Sequence, residues 1–300
     1  MRARDIRIRC GSFGMSGFAL GLVLAAAFIH ASWNYVLKKS GGGIGFLWLS
    51  TVLTTLIYAP LAVAVALLQE FTPTLAQLGI VAVSGLLHAA YFLLLDRGYR
   101  FGDLSVVYPL ARATGPMITV LIAIAVLGEQ PSALAVGGAL LIGAGAFFLT
   151  GNPAKLVAAG AGRGVGFALL TGGVIAASSV WDKQAVAVAL IPPLIFDWLA
   201  NLCRTFILCP LALRKRDNMR VAWREHRQAL VAVALLSPLS YILVLTALVF
   251  TPVSYIAPAR EVSILVAALM GTQLLDEGDT ARRLTAAAAM MLGVVALALG

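Results

Sequence analysis

Residues 102–129 read GDLSVVYPLARATGPMITVLIAIAVLGE, a long apolar run with a single arginine, Arg112, inside it and Glu129 at its end. Both charged residues recur 148 positions later without a gap, as Arg260 and Glu277. Arginine within an apolar run is scarce in this chain, so a chance match is a poor explanation. A fixed offset of this kind is typical of an internal repeat, and the sequence therefore predicts two copies of one unit.

The chain is strongly apolar. Of its 300 residues, 61% are hydrophobic and 12% are charged, whereas a soluble domain carries about 25% charged residues. Apolar runs of about 20 residues recur, which is the length that a helix needs to cross a hydrocarbon core about 30 Å thick. A β-barrel would alternate polar and apolar residues instead. We therefore expect an all-α polytopic membrane protein.

Ten transmembrane helices can be placed on the hydropathy pattern, five in each half of the chain. They cover residues 15–37, 44–68, 75–95, 104–127, 132–150, 165–186, 194–213, 230–250, 253–275 and 284–299. The predicted organisation is a basic tail (1–14), a first five-helix repeat (15–150), a Gly-rich linker (151–164) and a second five-helix repeat (165–300). Because five is odd, the second copy enters the membrane from the opposite side, and the two repeats are inverted, as in many secondary transporters.

Lysine and arginine outside the spans set the predicted orientation. Fourteen of them lie in loops after odd-numbered spans, and five lie on the opposite side. Positive charge marks the cytoplasmic side, so these loops are expected in the cytoplasm and both termini outside. Four of the five opposing charges lie in the tail, a conflict that disappears if synthesis begins at Met15. No cleavage site follows the first apolar run, which we interpret as a spanning helix rather than a signal peptide.

The basic residues behind the net charge of +9 mostly flank the apolar runs, so they reflect membrane orientation rather than nucleic-acid binding. The three cysteines, Cys10, Cys203 and Cys209, have neither metal-ligand nor disulfide spacing. We expect no metal, no cofactor and no nucleic-acid partner, and a chain that works in the lipid bilayer as a monomer or a homodimer.

Arg112 and Arg260 are the first candidates for a substrate site. A charge inside a span is costly and is by default a functional hypothesis, and a guanidinium forks well onto a carboxylate. Inverted repeats would place the two arginines at related positions in opposite halves. The alternative is structural, in that each arginine reaches the headgroups or pairs with a neighbour, and Glu261 is adjacent to Arg260.

A second candidate group lies in the first and sixth spans. His30, Trp33 and Asn34 occupy the first span, and the repeat offset carries Trp33 to Trp181, which Asp182 follows. Aromatic and polar groups that converge on one place are typical of a ligand pocket. The alternative is a pair of tryptophans anchored at the membrane interface.

Histidines and buried acids are candidate proton-binding groups, because an imidazole changes its charge near neutral pH. If transport is coupled to protons, we expect the role to fall to one of four residues, namely His30, His88, Asp182 and Glu261. Otherwise the histidines are satisfied interior side chains. The tyrosines that either line the same space or anchor the membrane interface are Tyr91, Tyr108, Tyr241 and Tyr255.

A polar stripe marks the seventh span, where Asp197, Asn201 and Arg204 lie four and three residues apart on one face of the helix. The stripe is either a feature of the substrate site or a contact between helices, and we favour the contact.

Other features are interpreted as structural. Glu129 ends a span and is followed by Ser132, which is expected to cap the fifth helix. Small residues such as Gly138 and Gly293 crowd the fifth and tenth spans and predict close packing inside the molecule or a dimer face.

In these features the chain resembles the drug/metabolite transporter superfamily, and within it the EamA group. The resemblance covers nearly the whole chain. It rests on HASWNYVLKKS (residues 30–40), on the stretch 102–129 and on TALVFTPVSYIAPAREVSILVAALMGTQLLDE (residues 246–277). It implies ten helices in two inverted halves around a central cavity, which spans one, three and four of each half line. It also implies an exporter of amino acids, metabolites or drugs in a bacterial inner membrane, without fixing the substrate.

The sequence is therefore interpreted as a secondary transporter and not an enzyme. We expect it to export small metabolites such as amino acids or organic acids across the inner (plasma) membrane by alternating access. Two arginines in the cavity would favour solutes with a carboxylate. The first alternative is an efflux carrier for cationic drugs, which would show an unpaired buried carboxylate. Alternatives of other classes are a passive channel and a membrane enzyme acting on lipid phosphate, although no cluster of histidines and acids for such an enzyme stands out.

Overall fold

The chain folds into a bundle of helices. The computed structural model describes residues 15–41, 43–101, 104–149, 162–266 and 280–300. Its helices are α1 (Gly17–Lys39), α2 (Ile44–Leu68), α3 (Leu75–Phe101), α4 (Leu104–Ala125), α5 (Ala133–Leu149), α6 (Gly162–Ala187), α7 (Pro193–Leu213), α8 (Arg216–Glu225), α9 (Arg227–Phe250), α10 (Val253–Ala259) and α11 (Thr280–Leu299). No strand occurs in these ranges, which confirms the all-α prediction for them. The tail, most of the linker, Glu277 and the side chain of Tyr108 lie outside the described residues.

Six helices of the described chain are long and apolar enough to cross a membrane, namely α1, α2, α3, α6, α7 and α9. Helices α4, α5 and α11 carry shorter apolar stretches, Leu110–Ala125, Ala133–Phe148 and Thr285–Leu299. Each of these nine helices lies on one of the spans predicted from the sequence. The chain is therefore a multi-pass membrane protein with six candidate spans in its described part, and the number of ten stays a prediction.

Helix ends follow local sequence signals. The hydroxyl of Ser16 accepts a hydrogen bond from the backbone N–H of Ala19 at 3.1 Å and so caps α1. Ser132 caps α5 in the same way, because its hydroxyl accepts from the N–H of Ala135 at 3.0 Å. The expected role of Ser132 is thus confirmed. Pro193 begins α7, where a missing N–H has no cost.

Helix α8 is an element that the sequence analysis did not predict. It lies in the Arg-rich loop between α7 and α9, and its buried side turns Met219 and Ala222 toward the bundle. Its fit against α2 is tight, since a Cβ added to Gly45 would lie 3.0 Å from the backbone nitrogen of Met219. Ten residues with few apolar side chains are too short to register as a span, which is why the hydropathy pattern missed this helix.

The ninth predicted span is broken rather than continuous. Helix α10 ends at Ala259, Arg260 and Glu261 form a turn, and residues 262–266 are helical again. The backbone bonds tighten at the break, where Glu261 N donates to Pro258 O at 3.0 Å and Ser263 N to Arg260 O at 3.1 Å. Pro258 lies inside α10 and supplies no N–H of its own, so the regular ladder is already interrupted there. At the break, Glu261 contacts Arg112 and Arg260 contacts Tyr241.

The two halves of the chain interlock. Helix α1 packs on α9, α2 on α7, α3 and α4 on α6, and α5 on α11, so each pair joins one predicted repeat to the other. The pairs α1–α9 and α3–α6 exchange under the repeat offset, as a two-fold relation between the halves requires. The cavity described below therefore lies between the repeats.

Helices α5 and α11 approach each other through glycine. A Cβ added to Gly138 would lie 2.6 Å from the carbonyl oxygen of Gly293, and one added to Gly145 would lie 2.7 Å from Cγ of Met290. Small residues allow this distance in lipid, where close packing takes the place of the hydrophobic effect. Of the two roles predicted for these glycines, packing inside the molecule is the one observed.

Substituting Gly138 by Ala is expected to lower the stability of the purified protein by about 1–3 kcal/mol, the usual effect of overpacking. The added methyl group would also lie 2.9 Å from the backbone nitrogen of Leu297, which cannot move aside cheaply. Gly137→Ala is the matched control, because its Cβ would meet nothing within 4 Å. It should stabilise the helix by up to about 1 kcal/mol. Thermal unfolding in detergent measures both changes, and equal effects of the two variants would contradict the packing argument.

Candidate functional site

A cavity of about 170 Å³ lies in the middle of the bundle, between the two halves. Helices α1, α2, α3, α4, α6, α7 and α9 line it, together with the turn after α10. Its polar wall consists of His30, Trp33, Ser50, Thr51, Thr54, His88, Tyr91, Arg112, Ser178, Ser179, Asp197, Asn201, Arg204, Ser237, Ser240, Tyr241 and Arg260. Such a concave, mixed surface is typical of a site for a small molecule.

The cavity occupies one half of the bundle's length. Lining residues come from the beginning of α2 (Leu47) and of α9 (Val233), and from the last third of α1 (Trp33) and of α7 (Leu208). These helix ends adjoin the loops that are rich in lysine and arginine. The cavity therefore extends toward the side that the charge pattern predicts to be cytoplasmic.

The opposite end of the bundle is held by polar contacts between the repeats. The carboxylate of Glu129, beyond the end of α4, accepts hydrogen bonds from the backbone N–H groups of Val253 and Ser254, both at 2.9 Å. These groups begin α10, where a negative charge is favourable. Nε2 of Gln77 also donates to the carbonyl oxygen of Ala189 at 2.9 Å. Glu129 is thus structural, as predicted, but the helix that it caps belongs to the other repeat.

Arg112 has an anion within the protein. Its Nε lies 3.0 Å from Oε2 of Glu261, and the two side chains are 7% and 4% exposed. Its Nη2 also donates to the hydroxyl of Ser263 at 3.3 Å. The structural alternative for Arg112 therefore describes the geometry better than a free substrate ligand, although the residue lies in the cavity wall. Glu261 pairs with the arginine of the opposite repeat and not with its sequence neighbour.

Arg260 is the more available of the two arginines. It is half-buried, and its guanidinium carbon lies 5.3 Å from the centre of the Tyr241 ring, a cation–π contact. Among the described residues its side chain has no ion pair or hydrogen bond. A small space of about 20 Å³ borders both Arg112 and Arg260, with Ser240 and Ser263 beside them. The two repeat-related arginines thus face the same space.

The polar stripe of α7 lies in the cavity wall. Nδ2 of Asn201 donates to the carbonyl oxygen of Thr51 and to the hydroxyl of Thr55, both at 2.9 Å, so it fastens α7 to α2. Nη2 of Arg204 donates to the side-chain oxygen of Asn201. Asp197 has no hydrogen bond or ion pair among the described residues. The stripe is therefore a helix contact, as favoured, and part of the cavity wall as well.

Asp182 is fully buried behind the wall of the cavity. Its Oδ1 accepts a hydrogen bond from the hydroxyl of Ser84 at 2.6 Å, and its Oδ2 accepts one from the hydroxyl of Tyr241. Nε2 of His88 lies 3.7 Å from Oδ2. Two neighbouring helices, α3 and α9, thus supply groups to this one carboxylate, as a buried charge requires.

His30 and Trp33 share the cavity wall, as predicted. Their rings form an edge-to-face pair with centroids 4.9 Å apart. The indole Nε1 of Trp33 is buried without a hydrogen-bond partner among the described residues. A buried donor without a hydrogen bond is unfavourable, so this N–H group is available to a bound solute. Tyr91 also lines the cavity.

Three of the predicted site residues point elsewhere. The amide of Asn34 donates to the carbonyl oxygen of His30, one turn back in the same helix, at 2.8 Å. The indole of Trp181 donates to the carbonyl oxygen of Ile80 at 2.9 Å and so fastens α6 to α3. Tyr255 is 2% exposed and packs in the hydrophobic core. None of the three is among the residues that border the cavity.

Helices α2 and α7 line the cavity in addition to the spans that the resemblance assigns to it. The resemblance assigns the lining to spans one, three and four of each half, yet Thr51, Asp197 and Arg204 all border the cavity. A signal was present in the sequence, since three polar residues on one face of a span need water, a ligand or another helix. The pattern alone does not say which.

The chain matches a family model over most of its length and a solved structure over nearly all of it. The family model described as the EamA-like transporter family matches residues 17–151 and 162–299. One solved chain, described only as "Crystal structure of protein", superposes with a TM-score of 0.71 over 94% of this chain and 97% of its own length. At 18% identity the likeness is one of fold. No curated protein matches the chain.

Proposed function

The chain belongs to the EamA-like transporter family, and we propose that within it the protein is a secondary transporter that exports small zwitterionic metabolites, such as amino acids, across the inner membrane by alternating access. The family is one of transporters, which leaves a membrane enzyme acting on lipid phosphate without support. The observation that carries the proposal is the presence of charged groups of both signs, Arg260 and Asp197, on the wall of one cavity.

Arg260 supports recognition of a carboxylate. Its guanidinium carries a positive charge that no carboxylate of the described residues neutralises directly, and a guanidinium presents two parallel N–H donors to a carboxylate. The space of about 20 Å³ beside Arg112, Ser240 and Ser263 adds hydroxyl groups around the same position. An α-carboxylate is small enough to be the anionic group bound here. Organic acids share this chemistry.

Asp197 supports recognition of an ammonium group. A carboxylate without a hydrogen bond or ion pair is unfavourable in a membrane protein unless water or a ligand completes it. Asp197 is half-buried and borders the cavity. Arg204, two turns further along α7, borders the cavity as well. A solute with both charges would neutralise both poles at once, whereas a singly charged solute would leave one of them unmatched.

The position of the cavity supports the direction and the mechanism. It extends toward the predicted cytoplasmic side, while Glu129 and Gln77 hold the opposite end together. A site between two inverted repeats that is reached from one side at a time is the arrangement used for alternating access. A solute taken from the cytoplasm would then leave on the far side after the repeats move.

A second candidate function is efflux of cationic compounds, and Asp197 is the observation that favours it. Such a carrier is expected to show an unpaired carboxylate, and Asp197 fits that description among the described residues. Arg260 and Arg204 line the same cavity and would repel a cation. The zwitterion therefore accounts for more of the wall than the cation does.

Three ligands that share one side chain separate these functions: leucine, its decarboxylated amine and its deaminated acid. A ligand that binds only the folded protein raises the free energy of unfolding, by about 2.7 kcal/mol at 100 times its Kd, and so raises the melting temperature. We expect leucine to stabilise the wild type at concentrations at least tenfold below those that either fragment needs. Counterflow of labelled leucine in proteoliposomes then distinguishes transport from binding.

Matched variants assign the two poles. Asp197→Asn should weaken the binding of leucine and of the amine but not that of the acid. Arg260→Gln should weaken the binding of leucine and of the acid but not that of the amine. Arg100→Gln, at an exposed position near the end of α3, is the control and should change none of them. If the amine alone binds the wild type, the carrier is one for cations. If no member of a panel of amino acids binds or is exchanged, the proposed function is wrong.

A further inference from the structure

His88 extends from α3 into the cavity wall and faces the buried carboxylate of Asp182 on α6. Nδ1 of His88 lies 2.9 Å from the carbonyl oxygen of Ser84. A carbonyl can only accept, so Nδ1 carries a hydrogen and donates it. The hydroxyl hydrogen of Ser84 is not available to Nδ1, because it is donated to Oδ1 of Asp182. The neutral imidazole therefore has its lone pair on Nε2.

This lone pair is directed at an anion. Nε2 of His88 lies 3.7 Å from Oδ2 of Asp182. When Nε2 is unprotonated, two acceptors face each other without a hydrogen between them. When Nε2 binds a proton, the imidazolium becomes a donor and a counter-ion for a carboxylate that is fully buried. The geometry thus assigns the second proton of the imidazole to Nε2, where Asp182 is its counter-ion.

Of the two side chains, that of His88 is the one that reaches the cavity. The side chain of His88 is 20% exposed and borders the cavity, whereas that of Asp182 is 0% exposed. We propose that His88 and Asp182 form a proton-binding site in the cavity wall, in which Nε2 of His88 takes up the proton and Asp182 is its counter-ion. The proton passes from a hydronium ion in the cavity to Nε2, a water molecule is left behind, and no other bond changes.

Charged and titratable groups from other elements act on this site. They are Tyr241 from α9, Asp197 and Arg204 from α7, and Arg260 after α10. Tyr241 connects the proton site to the proposed solute site, because its hydroxyl donates to Asp182 and its ring carries the guanidinium of Arg260. That this proton is coupled to solute movement rests on the proposed function.

Nitrogen NMR of the full-length protein in detergent, labelled with ¹⁵N only on histidine, tests the site without any solute. The chain has three histidines, His30, His88 and His226, so His→Gln variants assign every signal. We expect neutral His88 to carry its hydrogen on Nδ1 and to bind a second proton on Nε2 as the pH falls. An Nε2–H tautomer for neutral His88 would overturn the proposal from the wild type alone.

Removing the counter-ion gives the quantitative test. Asp182→Asn should lower the proton affinity of His88 by about tenfold or more, since an opposite charge within about 4–6 Å has at least this effect. Asp197→Asn removes a carboxylate of the cavity wall and should change the proton affinity of His88 less. If Asp182→Asn does not fold, Tyr241→Phe serves instead, and it should raise the affinity because Asp182 loses a donor. An affinity that stays within twofold in the folded variant would contradict the proposal.

Leucine added to the same titration tests the coupling. If proton and solute are linked, leucine shifts the proton affinity of His88, and pH shifts leucine affinity by the same factor. A protein that exchanges leucine but whose His88 does not respond keeps the proposed function and loses the proton site. A His88 that titrates as expected, in a protein that binds no amino acid, keeps the proton site and loses the proposed function.

Discussion

Glu261→Gln is expected to lower the melting temperature of the purified protein by roughly 10 °C. The substitution leaves the guanidinium of Arg112 buried without its anion, and breaking a buried ion pair in this way costs about 3–5 kcal/mol. In a chain of this size each kcal/mol corresponds to a few degrees. The pair lies in the protein interior, at 7% and 4% exposure, and joins α4 to the segment after α10. Arg112→Met should have an effect of similar size.

The double variant Arg112→Met with Glu261→Leu should recover most of the lost stability. Replacing both members of a buried pair by apolar residues is often neutral or even stabilising, because both desolvation penalties disappear together. The difference between the double variant and the sum of the two single variants measures the coupling. Additive effects would show that the two side chains do not depend on each other, and would contradict this account of Arg112.

The exposed pair between Asp96 and Arg100 is the control. Its nitrogen–oxygen distance is shorter, at 2.7 Å, but its side chains are 62% and 58% exposed. Water screens such a pair, so Asp96→Asn should cost less than about 1 kcal/mol. Burial and not distance is therefore expected to decide the ranking of the two pairs, and thermal unfolding of Glu261→Gln, Arg112→Met and Asp96→Asn side by side tests this directly.

The sequence alone predicted the architecture well, because the relevant signals are strong and local. Apolar runs of spanning length indicated nine helices at the positions where they occur. A charge inside such a run is so unfavourable that Arg112 and Arg260 marked the region of the cavity without any contact information. The constant offset between them made the two halves recognisable.

The sequence could not predict which side chain each of these arginines contacts. Glu261 follows Arg260 in the chain, but adjacent residues of one helix do not face each other, so the sequence left the partner of each arginine open. The broken helix after Pro258 turns Glu261 toward Arg112 in the other repeat and leaves Arg260 against the ring of Tyr241. A contact over 149 positions depends on how the two repeats dock, and periodicity within one helix carries no information about docking.

The same limit explains why some predicted site residues do not border the cavity. Asn34 and Trp181 have the right composition for a pocket, but each hydrogen-bonds to a backbone carbonyl, in its own helix or in the neighbouring one. Asp197 belongs to a stripe for which the sequence left both a helix contact and the substrate site open, and its side chain borders the cavity. Residue type indicates that a polar group needs a partner, whereas only the packing of the helices decides between a carbonyl, a neighbouring side chain and a solute.

Glu129→Ala is expected to shift the equilibrium between the conformation described here and one that is open at the opposite end by roughly 100-fold, toward the open one. The carboxylate of Glu129 accepts two hydrogen bonds from the N–H groups that begin α10, and a hydrogen bond to a charged group contributes about 1.5–3 kcal/mol. Under the proposed alternating-access mechanism, these bonds belong to the conformation in which the end of the bundle opposite the Lys- and Arg-rich loops is closed. Losing both therefore destabilises the closed end, while the contacts of Gln77 and of Lys183, which donates to Leu248 and Thr251, persist.

Thiol labelling measures the shift. Ser237 lines the cavity and is half-buried, so Ser237→Cys in a background without the three native cysteines reports access to the cavity. With a membrane-impermeant reagent, the wild type should react from the Lys- and Arg-rich side. Glu129→Ala should react at least about tenfold faster from the opposite side, because only a fraction of the population shift needs to appear as access.

Glu70→Gln is the matched control, since Glu70 is an exposed acid at the same end of the bundle. It should leave both labelling rates unchanged, which excludes a general effect of removing negative charge. Glu129→Gln keeps one acceptor oxygen and should fall between Glu129→Ala and the wild type. If labelling from the far side is the same in Glu129→Ala as in the wild type, Glu129 does not hold that end closed. In that case the closure must be assigned to the apolar packing around α10 rather than to its cap.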